Sequence, residues 1–219
     1  MNNILYSVVF GIKAYYPEIY LDGWDKVILT DDPQKVTAHH CWTIKKVDKK
    51  NESNRKSNRY YKWLSHKYFN EYDYVMYFDS PTTVGKPLRN NLTNVINEYI
   101  TCLQHNKKLG IFFKHPCREC VYDEMKVVQA RRLDSVENVN YIKHMLETAN
   151  FPAKFGLTEN NVFIRYNKNF TFNLMFDEMY DLIHNHICRD QLVFMYELYK
   201  HYKINDILIY PHKDKLDLF

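Results

Sequence analysis

Tyr72-Asp73-Tyr74-Val75-Met76-Tyr77-Phe78-Asp79-Ser80-Pro81 is the stretch on which the reading of this chain turns. Tyr74 to Phe78 is an apolar and aromatic run, rich in strand formers and too short for a buried helix, so it reads as a central strand. Asp79 closes the run ahead of Ser80 and of Pro81, which is read here as incompatible with a helix. A carboxylate in that place projects from the carboxyl edge of a sheet, where open α/β folds bind their ligands. The competing reading makes Asp79 the first residue of an Asp-Ser-Pro turn.

Working outward, further short apolar runs read as strands: Ile4 to Phe10 ended by Gly11, Lys26 to Thr30 ended by Asp31-Asp32-Pro33, and Trp42 to Val47. Leu109 to Phe113, Asn161 to Tyr166 and Ile207 to Tyr210 follow in the second half. Helical spacing marks Asn58 to Phe69, with Ser57 or Asn58 as its N-cap, and Asn91 to Asn106. Glu119 to Arg131, Val136 to Asn150, Phe172 to His184 and Asp190 to Tyr202 complete the helices. Tyr15 to Trp24, broken by Pro17 and Gly23, reads as an irregular crossover. The alternation predicts an α/β fold, a mostly parallel sheet flanked by helices.

The chain has 219 residues, enough for a single domain with a large core, and its 46% hydrophobic and 26% charged content is that of a soluble globular protein. Thirty Lys and Arg against 26 Asp and Glu leave a net charge of +4, too mild to imply a nucleic-acid partner. Neither G-x-G-x-x-G nor G-x-x-x-x-G-K-[ST] occurs, so Rossmann dinucleotide and P-loop chemistry lack their fingerprints. The start, Met-Asn-Asn-Ile-Leu-Tyr, carries no basic region ahead of a long apolar stretch, and no run has the length of a membrane span. Cys41, Cys102, Cys117, Cys120 and Cys188 are odd in number and irregularly spaced, which predicts a reducing, cytoplasmic setting. The sequons at Asn51, Asn91 and Asn169 are then accidents of composition.

In a parallel sheet, Phe10-Gly11, Thr30-Asp31 and Asp79-Ser80 all come to one edge. There Gly11 would let a base or ribose approach the backbone, Asp31 would accept from a base or ribose hydroxyl, and Asp79 would hold a divalent ion on a diphosphate. Taken singly, each reads first as a turn residue. Arg59 and Lys62 share a helix face three residues apart and suit a diphosphate. His115 and Arg118 follow a strand end, facing donor or acceptor. Cys117-x-x-Cys120 lacks both a thioredoxin-like context and a second ligand pair for zinc, His39, His40 and Cys41 being the only other local cluster.

The order of an opening strand with Gly, a strand ending Thr-Asp-Asp, a basic-aromatic helix and an apolar strand ending in Asp resembles the GT-A glycosyltransferases. Asn58-Arg59-Tyr60-Tyr61-Lys62 through Tyr72-Asp73-Tyr74 to Asp79-Ser80 is closer to one group of them, found in plant Golgi proteins, bacterial capsule loci and virus-encoded capsid-glycosylation proteins. His115-Pro116-x-Arg118-x-Cys120-x-Tyr122-x-Glu124, Gly156-Leu157-x-Glu159-Asn160-x-x-x-x-Arg165 and Arg189-Asp190-Gln191-Leu192 resemble that group's later blocks in order and spacing. The resemblance implies one glycosyltransferase domain over 1–219, with a nucleotide-binding half to about residue 114 and an acceptor and sugar half beyond it. It implies transfer of a hexose from a UDP- or GDP-type nucleotide sugar to a glycan or glycoprotein acceptor.

By the same resemblance Asp79 ligates Mn²⁺ or Mg²⁺ on the diphosphate, with His212 as a late further ligand. Ser80 followed by Pro81 departs from a full Asp-x-Asp. An inverting reaction needs a carboxylate to deprotonate the acceptor, and Asp190 and Glu159 are the candidates, Asp190 preferred, with Gln191 beside the sugar. Asp190 also reads as a plain helix N-cap. A different class of function stays open: a non-catalytic module binding single-stranded nucleic acid through the basic segment Lys45 to Lys67, with Tyr60, Tyr61 and Trp63 for base stacking.

Overall fold

The computed structural model describes residues 1–201 and 203–219. Its elements in chain order are β1 (Asn3–Val9), β2 (Ala14–Tyr16), β3 (Trp24–Thr30), β4 (Val36–Ala38), β5 (Thr43–Lys46), α1 (Asn54–Trp63), β6 (Tyr74–Phe78), α2 (Pro81–Val84), α3 (Thr93–His105), β7 (Gly110–Phe113), α4 (Val121–Ala130), α5 (Val136–Thr148), β8 (Val162–Tyr166), α6 (Phe170–Asn185), α7 (Phe194–Lys200), β9 (Ile207–Tyr210) and α8 (His212–Lys215). The main sheet has the order β5-β3-β1-β6-β8-β7-β9, and β2 pairs with β4 in a small second sheet.

The stretch Tyr74–Phe78 is the central strand expected, buried along its whole length between β1 and β8. β1, β3, β5 and β6 run parallel, so the ends carrying Gly11, Asp31 and Asp79 do reach one edge. β8 alone is antiparallel to its neighbours, and its register pairs Phe78 with Val162. That reversal brings the residues before β8, Glu159 to Asn161, to the edge where the parallel strands end.

Strand alternation explains the layers. From β1, Ile4, Tyr6 and Val8 enter one core with α1 and α4 to α7, while Leu5 and Val9 enter the other with α3 and the β2–β4 sheet.

Several boundaries differ from the periodicity. α1 starts at Asn54, before the expected Ser57 or Asn58, because Ser53 accepts from the Lys56 amide and Ser57 turns its hydroxyl onto the Asn51 carbonyl. It also ends at Trp63, and a 3₁₀ turn over Ser65–Lys67 follows. Pro81 begins a helical turn instead of preventing one: Ser80 caps it, and proline suits a first helical position, where no backbone donor is needed. The crossover after β1 contains a strand, β2, since Tyr16 packs between Trp42 and Phe78. The helix expected over Asp190 to Tyr202 is a 3₁₀ turn, Asp190–Leu192, followed by α7; Tyr202 lies outside the described residues.

Candidate active site

Asp79 opens onto a cleft of about 390 Å³ whose wall includes Arg59, Lys62, Glu159, Asp190, His212 and Lys215. These six come from four elements: Arg59 and Lys62 from α1, Glu159 from the turn before β8, Asp190 from the 3₁₀ turn after α6, and His212 and Lys215 from α8 past the end of β9. The Asp79 amide donates to the Asn161 carbonyl at 2.7 Å, continuing the β6–β8 ladder one residue past the strand. Beneath it the Tyr77 hydroxyl donates to Asp79 Oδ1 at 2.5 Å. Burial, and then the charge of Asp79, push the Tyr77 phenol well above its ordinary range, so it stays a donor.

Asp190 forms the floor. Its Oδ2 takes the Lys62 ammonium at 2.8 Å and the Trp63 indole N–H at 3.0 Å, and its Oδ1 lies 3.2 Å from Arg59 Nε. Lys62 is 1% and Asp190 2% exposed, so this cluster is dry. Burial alone would raise the Asp190 carboxyl, but Arg59 and Lys62 outweigh it and hold the group far below the usual carboxylate range. Trp63 is stacked against Phe163, Phe176 and Phe194, which fixes the indole and through it the end of α1.

The opposite wall is the turn before β8 and the C-terminal segment. Lys215, 3% exposed, donates to Glu159 Oε2 and to Asn161 Oδ1 at 3.2 Å. His212 Nδ1 stands 3.3 Å from the same Glu159 oxygen. Burial lowers the Lys215 ammonium from its ordinary value, against the pull of Glu159. Arg89 ties this segment down, its amide donating to the Leu218 carbonyl at 2.9 Å.

The remaining expected residues divide into neighbours and outliers. Gln191 lines the cleft, its Oε1 accepting from Arg189 Nη2 at 2.8 Å. Gly11 and Asp31 meet further along the same sheet edge, Gly11 N reaching Asp31 Oδ1 at 3.4 Å, and Lys49 pairs with Asp31 at 3.2 Å. Phe10 is buried against Tyr61, and Thr30 turns its hydroxyl onto the Asp32 amide. Ser80 is buried and spends its hydroxyl on Thr83. His115 and Arg118 stand behind the wall: Arg118 pairs with buried Glu124, which Arg189 approaches to 3.7 Å, and His115 Nδ1 accepts from the Cys117 and Arg118 amides. Tyr61 and Trp63 face the core, so the aromatics of the basic 45–67 segment do not form an open stacking surface there. All five cysteines are free.

Lys86, Arg189, Asn161 and Lys215 also line the cleft, and single-residue reasoning passed them over. For Lys215 a signal existed, since His212 and Lys215 are one helical turn apart and share a face.

No protein-family model and no curated protein matches the sequence. Among solved structures, apo WbbM, a bifunctional glycosyltransferase, superposes with a TM-score of 0.53 at 11% identity, covering 95% of this chain. The fold is GT-A. At that identity the likeness is one of fold, and the chain spans 38% of the length of the WbbM chain. Core-mannan synthase A (CmsA/Ktr4) of Aspergillus fumigatus in its Mn/GDP form has a TM-score of 0.46 at 11% identity, over 98% of this chain and 73% of that one. Mouse xyloside xylosyltransferase 1, apo form, has a TM-score of 0.46 at 8% identity, over 96% of this chain and 85% of that one. Among the described residues no helix is long and apolar enough to cross a membrane. The cleft lies at the carboxyl edge of the GT-A sheet, with β8 reversed beside it.

Proposed function

We propose that this chain is a glycosyltransferase that moves a sugar from a UDP- or GDP-type nucleotide sugar to a glycan or glycoprotein acceptor, with the donor diphosphate seated beside Asp79. One observation carries the reading: Arg59, Lys62, Lys86, Arg189 and Lys215 converge on a single cleft around the strand-end carboxylate. Two of the cleft's carboxylates are already paired, Asp190 with Arg59 and Lys62, and Glu159 with Lys215. The cationic surplus suits a diphosphate, whose charge grows as it leaves the sugar.

In this reading Asp79 would hold Mn²⁺ or Mg²⁺, and His212 lines the same cleft. Among the described residues no group of three carboxylates, imidazoles or thiolates gathers there. Such a sparse donor set fits an ion bound through one carboxylate and completed by phosphate oxygens and water. When bound, the ion supplies further positive charge to the departing diphosphate. Tyr77 orients Asp79, and Gly11 and Asp31 at the neighbouring strand ends take the nucleoside side.

Asp190 acts by position. A carboxylate held so far below its usual range is a weak base, and it keeps Arg59 and Lys62 aimed at the diphosphate instead. The acceptor proton goes to Glu159, which is less buried and stands beside His212.

Calorimetry of the full chain with nucleoside diphosphates and nucleotide sugars, with and without Mn²⁺, tests the reading. Binding that requires Mn²⁺ and disappears in Asp79→Ala is expected, while Glu159→Gln keeps nucleotide binding and loses transfer. Silence from every nucleotide sinks the proposal.

A further inference from the structure

Away from the cleft, α6 and α7 hold a second cluster of ligand-type side chains: Glu178, Glu197 and His201, whose nearest donor atoms all lie within 4.8 Å of one another. Glu197 and His201 are four apart, one above the other on the same face of α7 and its C-cap, the spacing with which a helix presents two ligands to one ion. Glu178 faces them from α6.

The burial of Glu197 sets this cluster apart from an ordinary surface ion-pair group. Its side chain is 0% exposed, and among the described residues neither carboxylate oxygen accepts a hydrogen bond. A carboxylate stripped of water and held only by looser contacts, His201 at 3.4 Å and Lys200 at 3.7 Å, is costly, and buried charges are normally closely paired or bound to metal. A cavity of about 280 Å³, lined by Glu178, Glu197, Lys200 and Asp181, opens beside it and provides the way in.

We propose that Glu178, Glu197 and His201 form a Zn²⁺ site that clamps α6 to α7, distinct from the cleft at Asp79. His201 Nε2 lies 3.2 Å from Glu178 Oε2 and 3.4 Å from Glu197 Oε2. Tetrahedral ligands at ~2.0–2.1 Å from zinc stand roughly 3.3 Å apart, so two edges of the ligand triangle already have that spacing. Two carboxylate oxygens and one imidazole suit zinc, and water completes the tetrahedron.

Lys200 occupies the ion's place in the structure. Its ammonium contacts Glu178 at 2.5 Å and stands 3.7 Å from Glu197, and its long stem lets it swing out through the cavity mouth.

Titration of the full chain with ZnCl₂ by calorimetry at neutral pH tests the site. One equivalent is expected to bind in the wild type and in Asp79→Ala, at least ten-fold more weakly in Glu197→Gln and in His201→Gln. Lys200→Met is expected to bind more tightly, a result that a purely structural ion-pair network does not produce. Circular dichroism shows whether each variant keeps its fold, and Co²⁺ substitution separates this site from cysteine, whose thiolate adds a charge-transfer band. Equal affinity in the Glu197 and His201 variants, loss in Asp79→Ala, a thiolate band, or no zinc binding at all overturns the proposal.

Discussion

Asp190 sits where two cations and an indole converge, and its surroundings decide what it can do. Removing its charge leaves Arg59 and Lys62 buried without a counter-charge, so Asp190→Asn should cost about 3–5 kcal/mol in denaturant unfolding. Its pKa is depressed in the folded chain, so its contribution is complete above the unfolded value, roughly 4, and fades as pH falls toward the folded one. The wild type should therefore lose stability steeply below about pH 4, and the Asn variant less steeply. Glu197 has the opposite sign. Burial raises it from 4.5 to about 7, so the folded state prefers its protonated form and the zinc-free chain loses stability as pH rises between those values. Unfolding at pH 5 and pH 8 should differ by a few kcal/mol on this account, and Glu197→Gln should remove most of that difference. At this scale the sequence showed residue types and little more. Asp79 was legible because a strand end announces itself in a run of ten residues, whereas the partners of Asp190 lie 127 residues away at Trp63 and neighbouring positions.

Among the elements, α1 carries two of the cleft's five cations, Arg59 and Lys62, and its start is set by two small features. Ser53 caps it, and Gly11, at φ 74°, leaves room for Asn54; a Cβ on Gly11 would collide with the Asn54 amide. Ser53→Ala should cost about 1 kcal/mol and leave nucleotide affinity nearly intact, since only one cap bond is lost. Gly11→Ala should cost a similar ~1 kcal/mol from the left-handed backbone alone and should weaken nucleotide binding further, because relief of the clash moves the first turn of α1. Comparing unfolding and binding in the two variants separates these effects. Most helices and strands were legible from periodicity, which is a local property. The start of α1 was not, because Ser53 and Ser57 compete as caps and the Asn51 loop, folded back onto Ser57, settles which one serves. Nor was β2, whose three residues acquire strand geometry only by pairing with β4.

Across the whole molecule the cleft joins distant parts of the chain, so a ligand there should stabilise all of them together. At a hundred times its dissociation constant, nucleoside diphosphate with Mn²⁺ should add ~2.7 kcal/mol. For a chain of this length that raises Tm by roughly 5–10 °C in a thermal melt, and Asp79→Ala should abolish the rise. The sequence by itself determined the α/β class, the central strand Tyr74–Phe78 and the carboxylate at its end. Those follow from the two-residue and 3.6-residue periods of apolar side chains and from where such runs stop. Tertiary structure decided that Asp190 is the anchor of Arg59 and Lys62, that Lys215 stands across from Asp79, and that antiparallel β8 delivers Glu159 and Asn161 to the edge where the other strands end. The physical reason is that charge pairing depends on distance in space, and neither residue spacing nor strand periodicity records which buried ammonium will meet which carboxylate.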